Sequence, residues 1–301
     1  MVVRSNGSGL NWLTACLLSA LLWCQQANSV DVITSIKPIA LIAQELALES
    51  DQVNYLLPAG VSPHAYSLRV SQMRQLHAAD LVLWVGPELE TFLQKPLAAL
   101  PEGRVMTLVQ LVGLQWPEDD GAAGHHADHS HEHDPHLWLN PENTLVVVDA
   151  LARHLAQLNP AAAEAYAARA QSYKSSLVAL DTELRAQMSP LADTGFAVYH
   201  DGYRHWVEHY GMRQVDYVTV TPEQKPGAKH LVALQERLRS DAKCLFVEPY
   251  SDVTEATRLA KTLGLGVGEL DPLASASSLA SYEQLLRHIS ASLSACLVSQ
   301  N

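Results

Sequence analysis

Short apolar runs alternate with helical patterns along both halves of the chain. Residues 30–35, 53–57 and 80–85 read as strands, with helices at 38–49 and 71–77 between them. The second half repeats this, with strands at 195–200, 214–220, 243–248 and 266–270. Helices at 204–210, 229–240, 253–263 and 281–297 fit between and after them. Strand–helix alternation predicts parallel sheets covered by helices, so the fold class is α/β with two Rossmann-like parallel-sheet lobes.

Between the lobes, residues 161–188 contain no glycine or proline. Tyr166, Ala170, Tyr173, Leu177, Leu180 and Leu184 recur every three or four positions, the stripe of one long helix. Pro160 suits its first turn and Pro190 marks its exit. Such a rod, about 42 Å long, is expected to be rigid and packed along both lobes rather than paired in a coiled-coil dimer. The expected division is a processing segment at 1–29, a first lobe at 30–159, the linking helix at 160–188 and a second lobe at 189–301.

Composition sharpens this picture. Hydrophobic residues are 48% of the chain and charged residues 17%, enough to build real cores. The net charge of −12 argues against nucleic acid as a partner and favours a cation. In the first 29 residues the only charge is Arg4, residues 10–23 are mostly apolar, and Ala27, Asn28 and Ser29 offer a cleavage site. This reads as a cleavable export signal, so the mature chain is expected to be exported and not inserted in the membrane. Cys16 and Cys24 leave with it, and the remaining pair, Cys244 and Cys296, is expected to form a disulfide. Buried thiols or soft metal ligands are the rival readings, and neither cysteine lies in a CxxC.

The densest chemistry lies at residues 124–136, GHHADHSHEHDPH. His125, His126, His129, His131, His133 and His136 are six of the chain's 14 histidines, interleaved with Asp128, Glu132 and Asp134. No apolar periodicity runs through the tract, and neutral imidazole is the commonest ligand of zinc-like metals. Residues 121–135 therefore read as a loop that meets transition metal, set into the first lobe behind the acidic run Glu118, Asp119 and Asp120.

Three other segments leave predicted strands carrying ligand-type residues: His64 in VSPHAY, His200 in YHDGY and Asp271 in ELDPL. In open α/β sheets, ligands bind beyond the carboxyl ends of the strands. These three, with His136, are therefore placed to converge in one cleft.

The combination resembles a known family, the periplasmic zinc-binding components of bacterial zinc ABC importers, among the metal-binding solute-binding proteins. The resemblance runs from about Val32 to the C-terminus. It rests on residues 60–68, Trp84-Val-Gly-Pro-Glu88, His136-Leu-Trp-Leu-Asn-Pro141, His200-Asp201, residues 243–249 and Asp271-Pro272-Leu273. It implies two α/β lobes bridged by one long helix, a bound zinc ion as cargo, no catalysis, and a membrane permease as partner. It makes His64, His136 and His200 the zinc ligands and places Asp271, or else water, fourth. Pro63 stands where some members have a further glutamate ligand. The other five tract histidines become an accessory metal loop. Manganese or iron carriers of the same fold are the alternative, but three imidazoles suit zinc better than an oxygen-rich set would.

One motif competes. His205-Trp-Val-Glu208-His209 matches H-x-x-E-H, a zinc-hydrolase pattern in which the two histidines share a helix face. In the carrier reading His205 and His209 are surface residues, and Trp206 and Tyr210 pack the helix.

Overall fold

The computed structural model describes residues 29–118, 134–251 and 253–299. The expected export signal and the five tract histidines before Asp134 lie outside them. The elements run β1 (Asp31–Thr34), α1 (Lys37–Leu46), β2 (Gln52–Tyr55), α2 (Val70–Ala78), β3 (Leu81–Trp84), α3 (Gln94–Ala98), β4 (Val105–Thr107), α4 (Pro141–Leu158) and α5 (Ala163–Met188). The second lobe follows with β5 (Phe196–His200), α6 (Arg204–Tyr210), β6 (Gln214–Thr219), α7 (Ala228–Asp241), β7 (Cys244–Val247), α8 (Val253–Leu263), β8 (Gly266–Glu269) and α9 (Tyr282–Ser299).

Both sheets are four-stranded and parallel, in the orders β2-β1-β3-β4 and β6-β5-β7-β8. The inner strands β3, β5 and β7 are buried at every residue, whereas edge strand β2 is mostly exposed. This is why LVLW, FAVYH and CLFV read as unbroken apolar runs: helices cover both faces. The expected strands and helices of both halves are present, with no end shifted by more than three residues.

The linking helix α5 has 26 residues, about 39 Å of rod. All six stripe residues, with Met188, are buried. They pack against α1, α4 and α9 of the same chain, so the stripe is spent inside the molecule. Helices α3 and α4 and the short β4 are additions to the sequence expectation. Asn140 caps α4 by accepting from the Glu142 N–H at 2.8 Å, and Pro141 occupies the first helical turn. Cys244 of inner strand β7 and Cys296 of α9 form the expected disulfide across 52 residues. Closing a loop of that length stabilises the fold by on the order of 4 kcal/mol. Among the described residues, no helix is long and apolar enough to cross a membrane.

One buried acid follows β3. Glu90 is fully buried; its Oε2 accepts from the Gly86 N–H at 2.9 Å, while Oε1 has no hydrogen-bond partner. Burial pushes its pKa up to about 7, against the smaller opposing pull of Ser35 and the Gly86 backbone. The folded state therefore holds a proton that the unfolded chain gives up near pH 4.5. This stability is fully present below that pH and is lost as pH rises through about 7. Chemical denaturation of metal-free wild type and Glu90→Gln at pH 5 and pH 8 tests this. The glutamine variant should gain about 3 kcal/mol relative to wild type between the two pH values; an unchanged difference would mean that Glu90 ionises normally.

Candidate metal centre

His64, His136 and His200 come together from three distant parts of the chain. Their ring centroids lie 5.5 Å (His64–His136), 5.0 Å (His64–His200) and 4.9 Å (His136–His200) apart. One ligand-type nitrogen from each falls within 4.8 Å of the others. Tetrahedral zinc, with bonds of about 2.0–2.1 Å, holds its ligand nitrogens about 3.4 Å apart, so small ring rotations would close the cluster on an ion. His136 and His200 are buried, and His64 is half-buried.

Each ring is set by local structure. His64 sits in a 3-10 turn, Pro63–Ala65, beyond β2; the Ser62 hydroxyl accepts from the His64 N–H at 3.3 Å. His200 is the last residue of β5. His136 precedes the buried turn Leu137–Leu139, where the Trp138 indole donates to the Pro272 carbonyl at 2.8 Å and the Tyr282 hydroxyl donates to the Trp138 carbonyl at 2.6 Å. The ligand segment of the first lobe is thereby fastened to the second.

Sequence reasoning missed three residues around these rings. Asp134 Oδ1 accepts from His136 Nδ1 at 2.6 Å and from the His136 N–H at 3.0 Å. Glu248, just beyond β7, accepts from His200 Nδ1 at 2.8 Å. Gly202 leaves the room the rings occupy: a Cβ there would lie 2.6 Å from His200 Cε1 and 3.1 Å from His136 Cε1. The only signals available were position: Asp134 two residues before His136, Gly202 two after His200, and Glu248 at the end of an apolar strand.

The electrostatics follow from these contacts. Burial works to raise the Asp134 pKa, but the His136 and His205 rings and the hydrogen bonds from His136 outweigh it and hold the carboxyl well below the usual range. Burial works against charge on His200, but the Glu248 carboxylate outweighs it and leaves the ring's pKa raised. His200 Nε2 is buried with no hydrogen-bond partner, a lone pair suited to a metal ion.

Asp271 takes a different position. Its Oδ1 accepts from the Leu273 N–H at 3.2 Å and the Ser275 hydroxyl at 3.1 Å, and its Oδ2 accepts from the N–H groups of Ser275 at 2.5 Å and Ala276 at 3.3 Å. Among the described residues, the groups that could hold a metal do not include it. Freeing one oxygen would give up two charge-assisted bonds, about 3–6 kcal/mol in all. The same loop carries buried Ala274 at a left-handed φ of 52°, and Lys37 of the first lobe donates to the carbonyls of Ala274 at 2.8 Å and Ala276 at 3.1 Å.

The H-x-x-E-H histidines are not surface residues, which corrects the sequence expectation. His205 is 1% exposed; its Nε2–H donates to the Asp134 carbonyl at 2.9 Å, and its Nδ1 faces the Asn143 amide at 3.3 Å. Burial lowers its pKa, partly offset by Asp134. The His209 ring is 2% exposed and donates from Nε2 to Asp181 Oδ1 at 2.6 Å. The linking helix and the turn at Asp134 cover these rings, neighbours that the helix pattern alone does not reveal. Among the described residues the two histidines do not share a metal group: His209 clusters instead with Glu142 and Asp181. There the Arg185 guanidinium already pairs with both carboxylates and contacts the His209 ring, making an ion-pair network.

Gly202→Ala supplies a prediction. The added methyl has to displace two rings, so zinc affinity should fall at least tenfold in competition titration while the circular dichroism spectrum is retained. Wild-type affinity would show that the rings have slack the geometry does not suggest.

The family model described as the periplasmic zinc-uptake complex component A matches residues 32–296. The high-affinity zinc uptake system protein ZnuA of Yersinia pestis is 33% identical, over 95% of this chain and 98% of its own. A crystal structure of ZnuA superposes with a TM-score of 0.76 at 24% identity, covering 90% of this chain and 100% of that one. A manganese-bound periplasmic metal-binding protein from Candidatus Liberibacter asiaticus superposes with a TM-score of 0.75 at 20% identity, covering 89% and 99%. At these identities the two structures speak for the fold alone.

Proposed function

The chain belongs to the family of the periplasmic zinc-uptake complex component A, and we propose that it captures Zn2+ in the periplasm and delivers it to the membrane permease of an ABC importer. The observation that carries this reading is the tri-imidazole cluster, with its buried and unpartnered His200 Nε2. Because similar folds carry manganese as well, the fold does not choose the metal; the donor set does. Three imidazoles favour zinc over manganese, which prefers oxygen ligands. In this reading His64, His136 and His200 hold the ion, and Asp271 or a water takes the fourth position. The role is binding and release, with zinc as cargo and no bond made or broken. Residues 1–29 act as the export signal, the mature chain works as a monomer, and the division into lobes at 30–159 and 189–301 about the 160–188 helix frames the cleft.

His125, His126, His129, His131 and His133 form a separate, weaker store in this proposal, raising the local zinc concentration near the tight site. Deleting residues 121–133 should lower zinc stoichiometry in calorimetric titration while leaving one tight site. Loss of the tight site instead would make the tract a source of primary ligands.

Alanine at His64, His136 or His200 should cost more than the roughly 10–100-fold typical of outer-shell changes. Metal needs a bare imidazole nitrogen, so protons compete, and affinity should fall as pH drops through about 6.5. Since the Glu248 carboxylate holds the His200 pKa above the ordinary value, the fall should begin at a higher pH than for an isolated imidazole. Competition titration from pH 8 to pH 5 measures this; a flat profile, or three alanine variants with wild-type affinity, would refute the assignment.

A further inference from the structure

We infer that Asp134 and Glu248 are the positioning residues of the metal centre: each fixes the tautomer of one imidazole and sets a carboxylate behind it, so that the tri-histidine cluster attracts a divalent cation before any carboxylate ligand is in place. The inference rests on the assignment of His136 and His200 as ligands and says how this chain prepares them.

A carboxylate only accepts, so the ring nitrogen facing it carries the hydrogen. Asp134 and Glu248 both face Nδ1, at 2.6 Å and 2.8 Å. A neutral imidazole has one N–H, so in both rings Nε2 is left as a bare lone pair, and in His200 that atom is buried without a partner. Two rings from different lobes are thus prepared in the same tautomer for the same point.

The carboxylates are themselves held. Glu248 Oε1 is 3.3 Å from the Tyr203 hydroxyl, and its Oε2 accepts from the Ser251 hydroxyl at 3.1 Å. Tyr203 is buried and its hydroxyl also lies 3.3 Å from the Leu270 carbonyl. Asp134 is gripped from the other side, because its backbone carbonyl accepts from His205 Nε2. The first histidine of the H-x-x-E-H motif therefore anchors the turn from which Asp134 reaches His136.

Side-chain exposure is 4% for both His136 and Asp134, and 2% and 1% for His200 and Glu248. Water screens charge poorly at such depth, so two carboxylates behind the rings act strongly on an ion in front of them. A divalent cation matches them in charge. Asp271 meanwhile keeps all its bonds to the 273–276 loop.

A contrast within the molecule separates this arrangement from ordinary ion pairing. His209 also faces a carboxylate, the partly buried Asp181, but through Nε2, and its Nδ1 lies 3.2 Å from Arg185 Nη2. Both of its nitrogens are engaged and a cation already sits beside it. His136 and His200 instead combine a carboxylate on Nδ1 with a place in the three-imidazole group.

The test uses the full mature chain with 15N-labelled histidine, and zinc as the probe. In metal-free wild type, two-bond nitrogen–proton couplings should report Nδ1–H for His136 and His200. Asp134→Asn and Glu248→Gln should each weaken zinc binding about 10–100-fold. Glu248→Ala should weaken it further and release His200 toward the Nε2–H tautomer. Glutamine keeps an acceptor for Nδ1–H, so it should retain the tautomer while losing the charge; a purely structural role would not produce that split. If Glu248→Ala does not fold, Glu248→Gln and Asp134→Asn carry the test. Affinities within about twofold of wild type, or an Nε2–H His200 already in wild type, would overturn the inference. His200→Ala separates the two levels. If it abolishes tight binding while the carboxylate variants do not, only the backing role fails; if it also binds like wild type, the ligand assignment itself fails.

Discussion

Parallel strands cannot be joined by tight turns, and that constraint organises this molecule. Each strand must return through a covering helix, so all the strands of a sheet end at the same edge. Two four-stranded parallel sheets therefore present two edges of loops. His64 follows β2, His200 ends β5, Glu248 follows β7 and Asp271 follows β8. The metal centre lies where such edges face each other, as open α/β sheets favour. The linking helix makes this juxtaposition stable: its buried stripe touches helices of both lobes, and the bonds from Trp138 and Lys37 to the 272–276 loop tie the lobes near the site.

Within that frame the chemistry depends on what stands behind the ligands. A histidine cluster without metal is a set of buried nitrogens needing direction. Asp134 and Glu248 supply it to two rings, and Gly202 supplies the space. The third ring, His64, is the most exposed of the three and sits on a short turn rather than a strand end.

Much of this was legible in the sequence. LVLW, FAVYH and CLFV announced buried parallel strands, and the stripe from Tyr166 to Leu184 announced the linking helix residue by residue. The three histidines of the cluster were legible because each follows or ends a predicted strand or precedes an apolar turn. What surrounds them was not. A glutamate at the end of an apolar strand looks like any turn residue, and nothing local says that Glu248 meets a ring 48 positions earlier. The burial of His205 and His209 depends on Asp134, Asn143 and Asp181, which no helical periodicity relates to them. Asp271 stands where the resemblance expected a ligand, yet its oxygens bond its own loop.

The central claim is that three imidazole nitrogens hold the transported ion. X-ray absorption at the zinc edge, on protein loaded with one equivalent of zinc, measures this most directly. Three imidazole ligands should give about four light-atom neighbours near 2.0–2.1 Å, with the outer-shell scattering pattern of three imidazole rings. A first shell dominated by carboxylate oxygen, or one containing a sulfur at about 2.3 Å, would contradict it.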